Sequence, residues 1–315
     1  MQVTIVLCTY NRCESLPKAL ESAALSVMPE SVEWEILVVD NNSTDRTREV
    51  VEVFCSRDPR RFRYSFEPRQ GKSHALNTGI REAQGDVIAF MDDDVTVDPM
   101  WLRNLTSPFQ DTRYSGVAGR VLLDPAFSAP PWLGLKEPFN LGGVLAQFDL
   151  GENSGELVSP PCGTSMAFRK EVLQKYGGFR VDLGPCPGSE IRGEDTELGF
   201  RLLAAGEPLR YEPSAIVHHP VPESRVRKSY FLRWYFDHGR AMVRSWGRGS
   251  DFIGIPRRLF TAIKLTGTRL PSGAVVWLLT VNPRKRFYRK CWFRITVGQI
   301  SEIYSQLNGR QTTGN

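Results

Sequence analysis

The segment Val87-Ile-Ala-Phe-Met-Asp-Asp-Asp94 indicates the fold of this 315-residue chain more clearly than any other stretch. Five apolar residues end abruptly at three adjacent carboxylates, a pattern typical of a buried parallel strand whose last residues reach an open sheet edge. Three neighbouring Asp side chains repel one another and need solvent, a cation or donors from a ligand. A solvated acidic turn is one interpretation. The strand-end position favours a ligand site, because ligands of open α/β sheets bind there.

The sequence before this segment predicts alternating strands and helices. Apolar strands are predicted at residues 3–7, 34–39 and 63–66, and apolar residues recur at helical spacing between them. Ser43 or Thr44 is placed to cap the second of these helices. Strand and helix alternating four times before residue 98 is typical of a doubly wound α/β layout with a parallel sheet.

The sequence after residue 98 predicts further strands at residues 116–123, 163–168 and 209–217. Residues 124–161 are rich in Pro and Gly, which predicts a long functional loop instead of a core element. Trp132 lies in this loop and is predicted to be exposed, which makes it a candidate acceptor contact.

Charge is distributed unevenly along the chain, although the net charge is only +5. Residues 1–224 carry 22 basic and 32 acidic side chains, whereas residues 225–315 carry 18 basic and 3 acidic ones. An acidic body with a basic extension predicts a second role for the extension, facing a polyanion such as an anionic lipid surface or nucleic acid.

The basic extension combines its charge with apolar residues. Helical spacing places one apolar set on a single face: Leu232, Phe236, Gly239, Val243 and Trp246. Basic clusters alternate with aromatic residues at Arg257-Arg258, Arg284-Lys-Arg286 and Arg289-Lys290. This pattern predicts an amphipathic segment on an anionic membrane. The alternative is an ordinary helical subdomain with a basic exterior, and no recognition motif supports nucleic-acid binding.

The cysteines and the chain start bear on the compartment. The six cysteines form no Cys-x-x-Cys pair, which is typical of scattered thiols in a reducing compartment. The sequence opens without a basic region and cleavage signal for export, and no window reaches the ~20 apolar residues of a spanning helix. We expect a cytoplasmic protein that is peripheral on the inner face of the membrane.

Several polar residues follow predicted strands at their carboxyl ends, namely Thr9, Asp40, Asp92, Asp94 and His219. Their shared placement predicts one cleft at a sheet edge. There Asp40 can accept the ring N–H of uracil or guanine, and Asp94 with a histidine suits a hard divalent cation held partly by phosphates. Consecutive strand residues face opposite sides, so only one of His218 and His219 can face the cleft.

Lys72 and the pair Glu194-Asp195 lie at the starts of predicted helices. Lys72 can balance phosphate charge, or it can simply be solvated. For Glu194-Asp195, helix capping and dipole compensation are one interpretation. The other is a general base held over the cleft.

Together these segments resemble the motifs of the inverting nucleotide-sugar glycosyltransferases of family 2, which have the GT-A fold. The matching motifs occur in order between residues 3 and 219: Thr9-Tyr-Asn-Arg12, Val38-Val-Asp-Asn-Asn-Ser43, Gly71-Lys-Ser-His-Ala-Leu-Asn-Thr-Gly79, Met91-Asp-Asp-Asp94, Gly163-Thr-Ser-Met-Ala-Phe168, Gly193-Glu-Asp-Thr-Glu197 and Ala215-Ile-Val-His-His219. Each motif is weakly specific alone, but the ordered set is strong. The resemblance implies a GT-A type, doubly wound, mixed sheet that is mostly parallel and flanked by helices, with a basic helical C-terminal extension.

The resemblance implies roles for the donor site. Thr9 and Asp40 would hold the nucleobase, Lys72 the diphosphate region, and Asp92 the ribose or nucleotide. The other residues assigned to the nucleotide-sugar site are Tyr10, Asn11, Arg12, Asn42, Asn77, Asp93, Gly163, Ser165 and Glu194. One departure is Ser165, where the family often has Asn.

The resemblance also implies the chemistry. Asp94 would bind Mg²⁺ or Mn²⁺ bridging the diphosphate, with His219 as the second metal ligand and His218 as the fallback. Asp195 would be the base that removes the acceptor proton during a single in-line displacement with inversion. The implied donor is a nucleoside-diphosphate sugar, with a UDP-sugar favoured, and the acceptor is lipid-linked, a polysaccharide or another glycoconjugate.

The predicted domains are residues 1–224, with a nucleotide-binding half (1–98) and an acceptor and catalytic half (99–224), and a basic amphipathic extension (225–315) that would associate with a membrane. Two other functions are compatible with parts of the sequence. A sugar-nucleotidyltransferase shares the α/β layout but needs a glycine-rich N-terminal loop that is missing here. The other is a non-catalytic membrane or nucleic-acid binder driven by the basic extension.

Overall fold

The computed structural model describes residues 1–245, 260–261 and 263–307. The chain forms two compact units. The first unit comprises Met1–Phe127, Ala146–Pro187 and Glu194–Pro220. The second comprises Ser128–Leu145, Gly188–Gly193 and the described residues from Val221 onward. The second unit thus contains two segments from the middle of the sequence in addition to the basic extension.

The first unit is built on one mixed sheet. Its strands are β1 (Gln2–Thr9), β2 (Glu33–Asp40), β3 (Phe62–Phe66), β4 (Val87–Met91), β5 (Thr96–Val97), β6 (Gly116–Leu123), β7 (Gly155–Glu156), β8 (Ser165–Arg169) and β9 (Leu209–His219). Their order is β3-β2-β1-β4-β8-β6-β9-β5, and β7 pairs with β9. Strands β1 to β4 pair in parallel, whereas β8 lies antiparallel between β4 and β6. The predicted doubly wound mixed α/β sheet is confirmed.

Helices cover both faces of this sheet. They are α1 (Leu16–Ala24), α2 (Thr47–Arg57), α3 (Lys72–Glu82), α4 (Trp101–Thr106), α5 (Lys170–Tyr176) and α6 (Glu194–Ala204). Alternate strand residues enter two separate cores. One core packs β1 and β4 residues against α1, α2 and α4, and the other packs the intervening residues against α3, α5 and α6.

The predicted cap of α2 is wrong. The residue that precedes the helix is Arg46, and it makes no side-chain cap. Ser43 and Thr44 are instead tied to the loop after β1. The Ser43 hydroxyl accepts the Asn11 N–H at 3.0 Å, and the Thr44 N–H donates to the Asn11 side-chain oxygen at 2.7 Å. The two loops are therefore fixed to each other.

The second unit is helical. Its principal elements are α7 (Lys228–Ser245), a π-helical turn (Leu265–Arg269), α8 (Leu270–Leu278) and α9 (Pro283–Leu307). Helices α7 and α9 approach closely at Gly239 and Gly298. A Cβ at Gly298 would lie 2.0 Å from the Phe236 carbonyl oxygen, and one at Gly239 would lie 2.2 Å from that of Ile295. Only glycine allows the two backbones to approach this closely.

The predicted apolar face of α7 is partly buried. Gly239 and Val243 are buried, and Leu232 and Phe236 are half-buried. Trp246 and the Arg257-Arg258 cluster lie outside the described residues. Among the described residues, no helix is both long enough and apolar enough to cross a membrane.

The predicted exposure of Trp132 is wrong. Its ring lies 5.2 Å from that of Phe231 and 5.0 Å from that of Phe287, edge-on to both. The Pro- and Gly-rich segment around it also buries Leu133 and Leu141. Edge-to-face aromatic contacts of this kind stabilise packing, so Trp132 belongs to the core of the second unit.

Candidate active site

The predicted sheet-edge cleft is built from the carboxyl ends of adjacent parallel strands. The register pairs Thr9 of β1 with Asp40 of β2, and Leu7 of β1 with Met91 of β4. The three carboxylates after Met91 therefore emerge beside the end of β1. Strand register, and not local sequence, brings these separate motifs together.

Lys72 and Asp92 form the centre of the site. The Lys72 ammonium lies 2.6 Å from one Asp92 oxygen, and the Thr164 hydroxyl donates to the other at 2.8 Å. Burial opposes ionisation of Asp92, but Lys72 and Thr164 outweigh it and lower the pKa of Asp92 below its usual range. Burial likewise disfavours charged Lys72, yet the negative charges of Asp92 and Glu194 raise its pKa above the usual value. The two charges hold each other ionised.

Glu194 and Asp195 begin α6 beside this pair. The Glu194 carboxylate lies 3.8 Å from the Lys72 ammonium. It is buried, and burial reinforced by the Asp195 charge raises the pKa of Glu194. A site with one carboxylate whose pKa is lowered and another whose pKa is raised is typical of acid–base chemistry.

Asp195 is held in one orientation by backbone amides. One of its oxygens accepts the Gly163 N–H at 2.8 Å, and the other accepts the Thr196 N–H at 2.6 Å. Gly163 permits this approach, because a Cβ there would lie 3.0 Å from the same Asp195 oxygen. The Thr196 hydroxyl donates to the second oxygen as well, at 3.2 Å, so donors occupy three of the four lone-pair positions of the carboxylate. An incoming hydroxyl can therefore use another.

These residues line a small pocket in the first unit. Its wall consists of polar groups, including Lys72, Asp92, Glu194 and Asp195, and of apolar side chains such as Leu76, Met166 and Phe179. Cys8 also lines it, and burial raises the pKa of the Cys8 thiol, which disfavours the nucleophilic thiolate form.

Asp94 and His219 fit a divalent cation. The His219 Nε2 lies 3.8 Å from an Asp94 oxygen. Its Nδ1 lies 2.8 Å from the Pro220 carbonyl oxygen, which can only accept, so Nδ1 donates there and Nε2 is the ring nitrogen that faces Asp94. An imidazole nitrogen and a carboxylate at this separation are ligand types suited to a divalent cation.

The cation would need further ligands from the donor. Within the described residues, no three His, Cys, Asp or Glu side chains form a complete metal cluster. Two protein ligands with phosphate oxygens completing the shell is the usual arrangement for Mg²⁺ at nucleotides. His218 faces the opposite side of β9 and pairs with Thr96 of β5, which favours His219 as the ligand.

Asp93 and Arg12 adjoin this pair. The Arg12 guanidinium lies 3.8 Å from Asp94. Burial and the charge of Asp94 raise the pKa of Asp93 to about 6, although Arg12 opposes the shift. Arg12 thus offsets part of the repulsion within the acidic run.

Asp40 is more enclosed than a simple base-binding carboxylate would be. One oxygen accepts the Ser43 N–H at 2.9 Å and the other accepts the Tyr64 hydroxyl at 3.0 Å. Burial and Asp40 raise the pKa of Tyr64 to about 12. Each oxygen retains a second lone-pair position, so the predicted nucleobase role stays a prediction.

The other residues that were predicted to line the nucleotide-sugar site fall into two groups. Tyr10, Asn11 and Asn42 lie in the loops at the sheet edge, and Tyr10 is exposed. Asn77 and Ser165 face other parts of the protein. Asn77 makes paired hydrogen bonds with the Phe179 backbone, at 2.7 and 2.8 Å. The Ser165 hydroxyl is fully buried and accepts the Trp101 indole N–H at 2.9 Å. Their positions favour structural roles.

Two residues of this region are not identified by the sequence. Thr164 binds Asp92, although the sequence motif favours the neighbouring Ser165. Asn41 is buried and joins the loop after β2 to the loop after β3, because its amide donates to the carbonyls of Glu67 and Arg69 and accepts the Gly71 N–H. Strand alternation would distinguish Thr164 from Ser165 if the phase of β8 were known. Nothing in the sequence distinguishes Asn41 from Asn42.

The fold of the first unit is that of the GT-A glycosyltransferases. Two solved structures of similar fold are the mannosyltransferase PcManGT from Pyrobaculum calidifontis with GDP-Man and Mn²⁺, and residues 1–349 of S. aureus TarS with UDP-GlcNAc. The first has a TM-score of 0.63 at 20% identity and covers 98% of this chain and 88% of its own. The second has a TM-score of 0.55 at 14% identity and covers 99% and 93%.

The chain belongs to glycosyl transferase family 2, because the model of that family matches residues 4–177. Two curated relatives are the succinoglycan biosynthesis protein ExoM of Rhizobium meliloti and a glucosyl-dolichyl phosphate glucuronosyltransferase of Haloferax volcanii. ExoM is 28% identical over 245 residues, covering 78% of this chain and 75% of the relative. The second is 27% identical over 257 residues, covering 80% of each.

Proposed function

We propose that this enzyme transfers a sugar from a nucleoside-diphosphate sugar, with a UDP-sugar favoured, to an acceptor hydroxyl by metal-assisted single displacement with inversion. The observation that carries the proposal is the position of Asp195, which the Gly163 amide holds beside the Lys72–Asp92 pair. Such a displacement needs a base in a fixed position, here Asp195, and a positive charge that can bind the diphosphate, here the Lys72 ammonium.

Lys72 and Asp92 would position the donor. An ammonium has three N–H donors, and Asp92 uses one of them. The others suit diphosphate oxygens, while Asp92 would contact the ribose or nucleotide. Thr164 fixes the second Asp92 oxygen, so the pair meets the donor in a set orientation.

Asp94 and His219 would hold Mg²⁺ or Mn²⁺. When bound, the ion supplies positive charge to the diphosphate, which becomes more negative as the bond to the sugar breaks. A solved structure of similar fold contains Mn²⁺ with GDP-Man, which supports divalent-metal use in this fold. The contact of Nδ1 with Pro220 orients the ring so that Nε2, the nitrogen that would bind the metal, faces Asp94.

Asp195 would take the acceptor proton. The acceptor oxygen forms the new bond to the anomeric carbon as the bond to the diphosphate oxygen breaks, and the proton passes to Asp195. No covalent intermediate is required, so the configuration at the anomeric carbon inverts. Burial raises the pKa of Glu194. When Glu194 is protonated, it would leave more of the positive charge of Lys72 available to the diphosphate than when it is ionised.

For the acceptor, we propose a lipid-linked sugar, polysaccharide or other glycoconjugate at the inner face of a membrane. The support is the basic extension and the relatives' names, one of which refers to succinoglycan biosynthesis and another to glucosyl-dolichyl phosphate.

A thermal-shift panel of nucleoside diphosphates with Mn²⁺ or Mg²⁺ tests the donor half, because a ligand that binds the folded state raises Tm. It should include UDP and GDP, since the similar solved structures hold sugars of both. Metal-dependent hydrolysis of the best donor sugar is expected, and Asp94→Ala should abolish it. An enzyme that turns over none of the UDP- or GDP-sugars would contradict the proposal.

A further inference from the structure

Helix α8 is apolar on all sides and yet lies at the surface. None of its residues is buried. Val275 and Leu278 are more than half exposed, and Leu279 and Val281, which follow the helix, are 76% and 93% exposed. A helix that is apolar all round is normally covered by protein or by lipid, and contiguous apolar patches of this kind mark interaction surfaces.

The exposed helix is held firmly by α9 at its C-terminal end. The Arg289 guanidinium donates to the Val276 carbonyl at 3.3 Å and to the Thr280 hydroxyl at 2.6 Å. The Trp277 ring packs against Phe293 at 5.7 Å, under the Lys290 ammonium at 5.0 Å. The apolar side chains are therefore presented by a fixed scaffold.

The charged residues that flank α8 in the sequence are all basic. Residues 270–283 carry no charged side chain, and Arg269 precedes them and Arg284-Lys-Arg286 follows. Glu302 is the one acidic residue between residues 260 and 307. It is buried and bonded to Arg240 and Arg244 at 3.1 and 2.8 Å, so it does not offset the basic rim.

We propose that residues 270–286 dock on an anionic lipid bilayer, with α8 lying in the interface and its flanking cations at the headgroups. The nine residues of α8 extend only about 14 Å at 1.5 Å per residue, too short for the roughly 30 Å hydrocarbon core. An apolar segment of this length with Trp and with basic ends suits the boundary between headgroups and acyl chains. A second copy of the chain is disfavoured, because a two-fold contact through this face would bring the two basic rims together.

This inference rests on the membrane location in the proposed function and names the segment that binds the membrane. It can be wrong even if the proposed sugar transfer is right. The test is flotation of the full chain with vesicles of phosphatidylcholine mixed with phosphatidylglycerol, and with vesicles of phosphatidylcholine alone. We expect flotation with the mixed vesicles only, decreasing as salt is added because screening weakens attraction to the headgroups. An enzyme that does not float with the anionic vesicles would overturn the inference.

Val281→Glu is the decisive variant, and Val158→Glu is its matched control. Val158 is an equally exposed valine, at 90%, in the first unit. Val281→Glu should partition about tenfold more weakly, since it removes one apolar side chain from lipid and adds a negative charge. Val158→Glu should float like the unmodified protein. Equal flotation of both variants would overturn the inference.

Two further measurements distinguish lipid binding from misfolding and from dimer formation. Arg286→Glu should weaken partitioning about fivefold or more through charge alone, which keeps the test valid if Val281→Glu fails to fold. Sedimentation velocity shows whether Val281→Glu instead dissociates a dimer. A dimer that is lost without a change in flotation would overturn the lipid assignment.

Donor hydrolysis without vesicles should be the same in all three variants. If the unmodified protein hydrolyses the donor but does not float with anionic vesicles, only this inference is overturned; if it floats but turns over no donor, only the proposed chemistry is overturned.

Discussion

The two units are stabilised by different kinds of contact. The edge of the sheet in the first unit is held by directional polar contacts between distant segments, such as Lys72–Asp92 and Gly163–Asp195. The second unit is held by ring packing around Trp132 and by the close crossing at Gly298. Polar geometry tolerates few residue types at each position, whereas ring packing is adaptable. Substitutions in the two units should therefore have different effects. Isosteric changes of polar residues in the first unit should alter function, and steric changes in the second unit should alter stability.

Asp195→Asn should have the largest effect. Removing a general base costs roughly 10²–10⁴-fold in rate, and the amide preserves the shape of the side chain. We expect turnover to fall by that amount while donor affinity, measured by titration, is unchanged. Asp111→Asn, in an exposed pair with Arg113, is the control. An equal loss of donor affinity and turnover would remove the assignment of Asp195 as the base.

Gly298→Ala tests the second unit. Its Cβ would meet the backbone oxygen of Phe236, and overpacking of this kind typically costs about 1–3 kcal/mol. We expect a lower thermal midpoint and unchanged nucleotide binding. Gly267→Ala is the matched control, because a Cβ there meets nothing within 4 Å. If both variants melt alike, the close crossing does not limit stability.

Thr164→Val and Ser165→Ala form a pair that distinguishes neighbouring residues. Thr164→Val removes a hydrogen bond to ionised Asp92 and should lower kcat/KM for the donor by about tenfold. Ser165→Ala leaves the buried Trp101 N–H without its acceptor, which should cost about 1–3 kcal/mol of stability with little kinetic effect. Steady-state kinetics and urea unfolding of both variants measure the difference. The reverse pattern would restore Ser165 as the donor contact.

Glu67→Gln should give the smallest effect, and one that depends on pH. Arg69 and Thr78 outweigh burial and lower the pKa of Glu67 from its ordinary 4.5 to about 2. The stability from ionised Glu67 is therefore present above about pH 4.5 and is lost as the pH falls towards about 2. The difference in unfolding free energy between the variant and the unmodified protein should shrink over that range. A difference that is constant with pH would contradict this, and Glu52→Gln, a surface pair with Arg48, is the control.

The sequence predicted most of the fold because hydrophobic periodicity identifies elements. Strand β6 has the predicted bounds, and the sheet is mixed as the family resemblance implies. The antiparallel insertion of β8 between β4 and β6 was not predicted, because pairing depends on contacts far apart in the chain. The wrong prediction for Trp132 has the same cause, since its partners Phe231 and Phe287 lie about a hundred residues and more away.

The residues proposed for the site could be selected from the sequence because the proposed chemistry restricts the residue type. Asp, Lys and His suit a base, a phosphate-binding cation and a metal site, and the structure brings Asp195, Lys72 and Asp94 to one edge. Residues that only orient these groups have no such signal. Thr164 and Asn41 act through hydrogen bonds whose partners are set by the tertiary fold, and a single sequence does not reveal them.

The configuration of the first sugar released during donor hydrolysis tests the central claim most directly, since water then takes the place of the unknown acceptor. Proton NMR can follow the anomeric signal before the free sugar mutarotates. A fixed Asp195 that activates the attacking hydroxyl predicts inversion, so an α-linked donor should first release the β-anomer. Release of the α-anomer would indicate retention and contradict the single displacement.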